Sequence, residues 1–298
     1  MLNKTASHRE HRNEIEMETT KNIINNVICK YKELYVCLVQ ISSLHNAKIK
    51  QLIKLQQKSR ERNLTKSFVV EGLQENRLAI ANKYDALHYF VQEDLFDASL
   101  DLSHVEVFKV SQEVFDKIAY RNSTGGILGV YKTKTNDLNS ILKAKNPLIV
   151  VLEAIEKPGN LGAVLRTCDA AKVDAVIVCD GLVDFFNPNV IRSSVGTLFT
   201  NNLISSSKES FIEFCKKNEI QVLATFLKDE SKNLYEMNLK KPTALVFGTE
   251  ATGLSEFWFL KSDASIKIPM LGQVDSLNVS NSVAITLYEA VRQRDFAD

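Results

Sequence analysis

The most informative part of this 298-residue chain is a polar loop between an apolar strand and an apolar helix, and it reads Ile268-Pro269-Met270-Leu271-Gly272-Gln273-Val274-Asp275-Ser276-Leu277-Asn278-Val279-Ser280. The apolar pattern predicts a strand over 265–268 and a helix over 279–294. Taken alone, the loop has a simple structural interpretation in which Ser276 or Asn278 caps the helix. Ligands of open α/β sheets collect where strands end, so the loop is also a candidate binding site.

Two further glycine-bearing loops follow predicted strands in the same half of the chain. The first, Pro158-Gly159-Asn160-Leu161-Gly162, continues to Arg166 and lacks the G-x-G-x-x-G spacing of nicotinamide-binding folds. The second, Gly248-Thr249-Glu250-Ala251-Thr252-Gly253-Leu254-Ser255, nearly matches a P-loop. Leu254 stands where the phosphate-binding lysine is needed, so we exclude an NTPase. For each loop alone, tight turns and a cap from Asn160 to a helix starting at Leu161 are the simpler interpretation.

The alternation of strands and helices in this half indicates an α/β domain over 147–298. The predicted strands are rich in Val, Ile and Leu without polar alternation, which is typical of a parallel sheet covered on both faces. We expect strands at 148–152, 175–179, 222–226, 244–247 and 265–268, and helices at 161–171, 189–195, 208–218 and 279–294.

A smaller α/β domain is predicted over 43–134, where helices and short strands also alternate. The polar residues 135–146 form a plausible linker between the two domains. Residues 1–42 are a tail to which we assign no role, with a helix predicted over 22–41.

The charges are unevenly distributed, although the net charge of the chain is only +1. Segment 147–298 carries −4, whereas 48–66 carries +6, with Glu61 as its one acidic residue. Such a concentration is a plausible footprint for phosphates, and a solvated helix face is its alternative. The basic residues that we assign to RNA are Lys54, Lys58, Arg60, Arg62 and Lys66.

Composition restricts the remaining classes of function. The 45% hydrophobic and 24% charged residues are ordinary globular values. Five cysteines without a C-x-x-C pair make a zinc ribbon improbable, and we expect no metal. We expect no membrane partner either, because no apolar run reaches the length of a span. An odd number of cysteines and no signal peptide favour the cytoplasm.

Taken together, the three loops resemble a known family. Their order along the chain closely resembles that of the motifs of the SpoU/TrmH family of RNA ribose 2′-O-methyltransferases, in the SPOUT superfamily. The first motif is Asn-x-Gly with a following Arg, the second is Phe-Gly-x-Glu-x-x-Gly-Leu-Ser, and the third is Ile-Pro-Met-x-Gly-x-Val-x-Ser-Leu-Asn-Val-Ser. A fourth stretch, Asn187 to Gly196, resembles the segment between the first two motifs. Less specifically, residues 54–72 look like the family's substrate-binding domain.

The resemblance implies a fold, a cofactor and an assembly. The fold is a parallel sheet whose C-terminal part is tied in a deep trefoil knot, with an N-terminal α/β RNA-binding domain. The cofactor is S-adenosylmethionine, held by the knot loops, and the active form is a homodimer. The last helix is a candidate for the dimer interface, with core packing as its alternative. The residues implied in cofactor binding are Gly248, Ile268 and Leu277, with Thr249, Met270 and Gly272 nearby.

The resemblance also implies a catalytic set. Arg166 matches the family's catalytic arginine, and Asn160, Glu250, Ser276 and Asn278 match its other active-site positions. Because a guanidinium has a pKa above roughly 12, it is a poor base. We therefore expect Arg166 to orient the ribose hydroxyl and stabilise its developing charge, with the adjacent RNA phosphate as a candidate proton acceptor.

These observations favour an RNA ribose 2′-O-methyltransferase acting on ribosomal RNA. Transfer RNA is the nearest alternative substrate. A noncatalytic RNA-binding or ribosome-assembly factor on the same fold is the alternative of a different class. One departure from the family is the polar pair Asn281-Ser282, where small or apolar residues are usual.

Overall fold

The computed structural model describes residues 39–96, 99–103, 105–120, 125–181, 183–249 and 252–295. The predicted tail up to residue 38, the helix predicted within it and Glu250 lie outside the described residues. Two sheets, each with its own helices, make up the described part of the chain.

Within the described residues, the first sheet has five strands in the order β1-β4-β3-β5-β2 and mixes parallel and antiparallel pairs. Its core is apolar, with Phe90, Phe115 and Val130 fully or almost fully buried. The strands are β1 (Val39–Ile41), β2 (Ser67–Glu71), β3 (Ala86–Val91), β4 (Glu106–Val110) and β5 (Ile127–Lys132).

Four helices among the described residues belong to this first unit, and two of them have a side-chain N-cap. Asn46 and Ser111 are N-cap residues whose side chains accept hydrogen bonds from backbone amides of the first turn. Ile49, Leu52 and Leu55 form the buried face of the first helix, as their spacing predicts. The helices are α1 (Ala47–Gln57), α2 (Ser59–Thr65), α3 (Leu73–Ala81) and α4 (Gln112–Ile118).

The second sheet is entirely parallel, as the strand composition predicts, and has the order β10-β12-β9-β11-β6-β7-β8. All residues of β6, β7 and β11 are buried, which fits strands covered on both faces. The strands are β6 (Leu148–Glu153), β7 (Ala175–Cys179), β8 (Leu203–Ser206), β9 (Gln221–Thr225), β10 (Lys232–Asn233), β11 (Thr243–Phe247) and β12 (Ala264–Lys267).

The helices around the second sheet agree with the predicted ones to within three residues at either end. The strands β8 and β10 and the helix α8 were not predicted, because they are short and have no clear period. The helices are α5 (Pro158–Ala170), α6 (Pro188–Ser193), α7 (Lys208–Lys217), α8 (Glu256–Lys261) and α9 (Val279–Gln293). The trefoil knot implied by the resemblance stays a prediction.

Three boundary predictions differ from the structure. Strand β1 pairs with β4, so the first sheet begins before residue 43 and the helix predicted through residue 41 is wrong at that end. The predicted linker contains a 3₁₀ helix, Leu138–Lys143, whose Ile141 is buried under the second sheet. Helix α5 begins at Pro158, so Asn160 lies in its first turn instead of capping it.

The two units pack against each other through an aromatic interface. The ring of Phe68 on β2 stacks on Phe186 before α6, with a centroid distance of 4.2 Å. Tyr84 meets Phe199 edge to face at 5.0 Å. One apolar core runs from the first sheet into the second. The RNA-binding unit predicted from the sequence is therefore held rigidly against the parallel sheet.

Candidate active site

A cavity among the described residues lies where three neighbouring strands of the parallel sheet end. Strands β12, β9 and β11 are adjacent in the sheet, and their last residues Lys267, Thr225 and Phe247 all line the cavity. The cavity volume is about 860 Å³. This size is within the roughly 300–1,000 Å³ of small-molecule sites, and the position is the one that open α/β sheets use for ligands.

The second glycine-bearing loop closes one side of this cavity. The amide and carbonyl groups of Thr249 and Gly253 exchange two hydrogen bonds of 3.2 and 3.1 Å. A Cβ atom at Gly248 would lie 2.2 Å from the carbonyl carbon of Gly253. Only glycine therefore lets the loop close on itself here. Leu254 is buried and belongs to the same apolar cluster as Trp258.

Five of the six predicted cofactor residues line the cavity, namely Gly248, Thr249, Ile268, Met270 and Leu277. Gly272 lies in the same loop as Met270 but is exposed and does not line it. The walls combine backbone groups of a closed glycine loop with the apolar side chains of Ile268, Met270 and Leu277. That combination fits an amphipathic cofactor such as S-adenosylmethionine, which has a purine ring, a ribose and a charged amino-acid end.

Asn278 connects the third loop to the first. Its side-chain nitrogen donates to Oδ1 of Asn160 over 3.4 Å, although the two residues are 118 apart in sequence. Its side-chain oxygen also accepts the backbone amide of Ser280 at 2.9 Å, so Asn278 caps α9 as well. The structural and the catalytic interpretations of Asn278 are therefore compatible. Ser276 lines the cavity, is exposed and donates to Asp275 at 3.0 Å.

Arg166 is exposed on α5, the helix that also carries Asn160. This helix packs against both α6 and α9. Gly162 permits the close approach of α6, because a Cβ atom there would lie 2.0 Å from Oγ of Ser193. The structure thus fixes the backbone under Arg166 and leaves its guanidinium accessible from solvent. Glu250 lies outside the described residues, so its predicted role stays a prediction.

Comparison with known proteins identifies the family. Residues 147–288 match the model of the SpoU rRNA Methylase family, and residues 46–129 match that of the MRM3-like substrate binding domain. The tRNA (guanosine(18)-2′-O)-methyltransferase of Thermus thermophilus is 38% identical over 162 residues, which cover 53% of this chain and 81% of that protein. This chain belongs to the SpoU rRNA methylase family.

Two more proteins are similar over most of the chain. The 23S rRNA (guanosine(2553)-2′-O)-methyltransferase RlmP of Bacillus subtilis is 28% identical over 84% of this chain and 98% of its own. The AdoMet-bound rRNA methyltransferase of Sinorhizobium meliloti is 28% identical, with a TM-score of 0.78 over 86% of this chain and 98% of that one. The predicted family and the α/β fold are therefore confirmed.

The sequence analysis did not identify Glu153, which holds the second glycine-bearing loop in place. This carboxyl group is buried at the end of β6 and accepts two hydrogen bonds from Ser255, from the backbone amide at 2.7 Å and from the hydroxyl at 2.6 Å. Lys208 lies 3.4 Å from it and 3.1 Å from Asp180. Although desolvation acts in the opposite direction, hydrogen bonds to Asp180 and Glu153 raise the pKa of Lys208, which keeps its ammonium charged. The signal in the sequence that could have identified Glu153 is its position as a carboxylate at the end of strand β6.

Thr225 and Lys228 are two further cavity residues that the motifs do not include. Lys228 is held over the ring of Phe259, with its ammonium 3.5 Å from the centroid. The position of Thr225 at the carboxyl end of a predicted strand was a usable signal, whereas the cation–π contact depends on the tertiary fold.

The predicted RNA-binding residues divide into two groups. Lys54, Lys58, Arg60 and Lys66 are exposed along α1 and α2. The prediction for Arg62 is wrong, because its side chain is only 3% exposed. It pairs with Asp184 at 2.6 Å and donates to the carbonyl of Leu55, and a buried guanidinium needs such partners. Arg62 joins the two units and is not available to RNA.

The last helix packs within its own chain. We considered this helix for a dimer interface, and its residues Val283, Leu287 and Ala290 are fully buried in the core, whereas Ala284 and Val291, which lie on the same side, are half-buried. No helix in the described part of the chain is long and apolar enough to span a membrane. Over the same residues, no group of three or more His, Cys, Asp or Glu side chains is placed to hold a metal ion.

Proposed function

We propose that this chain transfers the methyl group of S-adenosylmethionine to a ribose 2′-hydroxyl of RNA, with ribosomal RNA as its substrate. The observation that carries the proposal is the convergence of the three loops. Two of them line one cavity, and Asn160 of the first is hydrogen bonded to Asn278 of the third. Cofactor-binding and ribose-binding groups from distant parts of the sequence are thereby adjacent.

The cofactor end of the site consists of Gly248, Thr249, Ile268, Met270 and Leu277. When bound, S-adenosylmethionine supplies an electrophilic methyl group. The closed loop at Gly248 presents backbone donors and acceptors, and the three apolar side chains exclude water from the cofactor. Ser276 and Asn278, on the same wall, are in position to orient the incoming ribose.

Arg166 and Asn160 act on the nucleophile. A ribose hydroxyl is a poor nucleophile, so its orientation and the charge that develops on its oxygen limit the rate. The Arg166 guanidinium supplies a permanent positive charge for that oxygen. Asn160, held by Asn278, and Glu250 fix the geometry of this group and of the ribose. The proton that the hydroxyl loses passes to the adjacent RNA phosphate, so no step requires Arg166 to accept it.

Ribosomal RNA is favoured over transfer RNA by the extent of the similarity. The match to the Bacillus subtilis 23S rRNA enzyme extends over 249 residues and so includes much of the first unit, whereas the match to the tRNA enzyme covers 162 residues. Residues 46–129 also match a substrate-binding domain. The exposed basic helix of the first unit adds a surface that suits a large, structured RNA. We further propose that the protein is a homodimer, which sedimentation equilibrium tests directly. We also propose that it acts in the cytoplasm.

Two measurements separate this function from that of a noncatalytic RNA-binding factor on the same fold. Calorimetry with S-adenosylmethionine should show a single binding event per chain. Radiolabelled methyl transfer to unmodified 23S rRNA, followed by nucleoside analysis, should yield a 2′-O-methylnucleoside, with transfer RNA as the competing substrate. RNA binding without any cofactor binding would instead support the noncatalytic factor.

A further inference from the structure

An exposed tyrosine and an arginine form a stacked pair where the two units meet. The guanidinium carbon of Arg192 lies 3.7 Å from the ring centroid of Tyr120. Tyr120 is nevertheless 67% exposed. Because the guanidinium covers one face of the ring, this degree of exposure leaves the opposite face open to solvent.

A buried carboxyl group holds both members of the pair. Oε1 of Glu71 accepts the backbone amide of Tyr120 at 2.8 Å, and its Oε2 lies 3.6 Å from Nη1 of Arg192. Glu71 itself is only 8% exposed. Arg192 also donates to the side-chain oxygen of Asn189. The pair is thus oriented before any ligand arrives, which lowers the entropic cost of binding to it.

The pair lies between the basic helix and the active site. Arg192 and Glu71 line a small groove together with Gln56, which lies near the end of α1 between the exposed Lys54 and Lys58. On the other side, Ser193 follows Arg192 and its hydroxyl donates to the carbonyl of Pro158 at 3.2 Å. Pro158 is the first residue of α5, the helix that carries Asn160 and Arg166.

The chemistry of this arrangement suits an unpaired nucleobase. Bases that are splayed out of RNA stack on aromatic rings and guanidinium planes, and the interaction tolerates any base. A guanidinium behind the ring adds positive charge close to the RNA backbone. A ring that served only to join the two units would be expected to bury both faces, as Phe68 does between its aromatic neighbours.

We infer that the Tyr120–Arg192 pair is a stacking platform for one unpaired base of the RNA, beside the nucleotide whose ribose enters the active site. The inference rests on the proposed function, because it takes RNA as the substrate. It gives the Asn187–Gly196 segment a role that its motif resemblance alone does not specify.

A fluorescent hairpin RNA of mixed sequence, with 2-aminopurine in its loop, tests the platform with the full-length protein. We expect Tyr120→Ala to weaken binding about tenfold, as is typical of the loss of one base–aromatic stack. Tyr120→Phe should bind like wild type. The control is Tyr235→Ala, which removes another exposed tyrosine and should change nothing. The salt dependence should be equal in all variants, because stacking releases no counterions.

Several outcomes would overturn the platform. One is unchanged affinity in a folded Tyr120→Ala variant, with folding checked by thermal melting. Another is an equal loss in Tyr120→Phe, which would indicate a contact with the hydroxyl group instead of the ring. A wild-type protein that does not bind the hairpin at low salt would contradict it as well. If wild type binds the hairpin but transfers no methyl group to unmodified 23S rRNA, the proposed function fails while the comparison of variants still decides the platform.

Discussion

In the proposed reaction we assign the main electrostatic contribution to one exposed side chain, Arg166. Nothing in the fold requires it, because the buried face of α5 consists of Leu161, Val164, Leu165 and their neighbours. We assign to it a permanent positive charge near the ribose oxygen, held on a helix that packs against both α6 and α9. Removal of that charge should therefore affect the reaction and leave both the fold and the cofactor site intact.

We expect Arg166→Ala to reduce the rate of methyl transfer by at least about a hundredfold, in line with the loss of a group that stabilises a developing oxyanion. Single-turnover kinetics measure the rate, and calorimetry should show unchanged affinity for S-adenosylmethionine. Arg166→Lys is the matched control, because it keeps the charge and loses the planar geometry, so partial activity is expected. Activity of Arg166→Ala within tenfold of wild type would refute the assignment.

Glu153 holds the second glycine-bearing loop, which lines the cofactor side of the proposed site. Hydrogen bonds to a charged group contribute about 1.5–3 kcal/mol each, and Glu153 makes two to Ser255 at the end of the cofactor loop. Glu153→Ala should therefore raise the Kd for S-adenosylmethionine at least about tenfold. Glu153→Gln, which can still accept the Ser255 amide, should have a smaller effect.

The fluorescence of Trp258, the single tryptophan of the chain, provides an independent readout for these variants. This side chain is fully buried three residues beyond Ser255, so it should report a displaced loop. A folded Glu153→Ala variant with wild-type cofactor affinity and unchanged fluorescence would show that Glu153 does not hold the loop.

At the scale of elements, helix α1 and its junction with α2 present the basic surface. The double change Lys54→Glu and Lys58→Glu should weaken RNA binding and reduce the slope of log affinity against log salt by roughly 2, if each lysine neutralises one phosphate. Filter binding at several salt concentrations measures the slope. The matched control is Lys216→Glu with Lys217→Glu, which makes the same charge change on exposed residues of α7. Equal loss in both double variants would indicate a nonspecific effect of net charge.

Strand β3 carries a histidine that makes the stability of the first unit depend on pH. Burial between Phe90 and Phe108, and then the nearby Lys48, lower the pKa of His88 to about 4, although Glu106 acts in the opposite direction. The unfolded chain binds this proton near pH 6.5, so the free energy of unfolding should fall as the pH drops from 6.5 towards 4.

The contribution of His88 amounts to at most about 2 kcal/mol between pH 6.5 and 5. Thermal melts of wild type and His88→Phe across this range measure it. Wild type should lose stability relative to the variant as the pH falls. A constant difference between the two proteins would contradict the assignment to His88.

The elements also show where sequence reasoning succeeds and where it fails. Strands β6, β7 and β11 were predicted nearly to the residue. Each is a short, continuous apolar run, which is typical of a strand in a parallel sheet that is covered on both faces. Strand β1 was missed, because its three residues are too few to show a period and follow directly on a segment that we predicted to be helical. Charge counting placed Arg62 in the RNA surface, since the sequence does not reveal that Asp184 lies opposite it.

At the scale of the whole molecule, two units act as one body. The aromatic contacts of Phe68 with Phe186 and the Arg62–Asp184 pair fix the basic helix relative to the cavity. This geometry explains how a chain with a net charge of +1 can bind RNA, because the positive charge lies on one unit and the other is acidic. The three loops were predictable from the sequence as a set, since they match a family. Their convergence, and the support from Glu153, depend on the tertiary fold.

The most direct test of the account is a map of 2′-O-methylated nucleotides in total RNA from cells with the gene, without it, and with Arg166→Ala in its place. We predict that one site in large-subunit ribosomal RNA loses its methyl group without the gene. That site should be restored by the wild-type gene and not by Arg166→Ala. Identical methylation maps with and without the gene would contradict the proposed function.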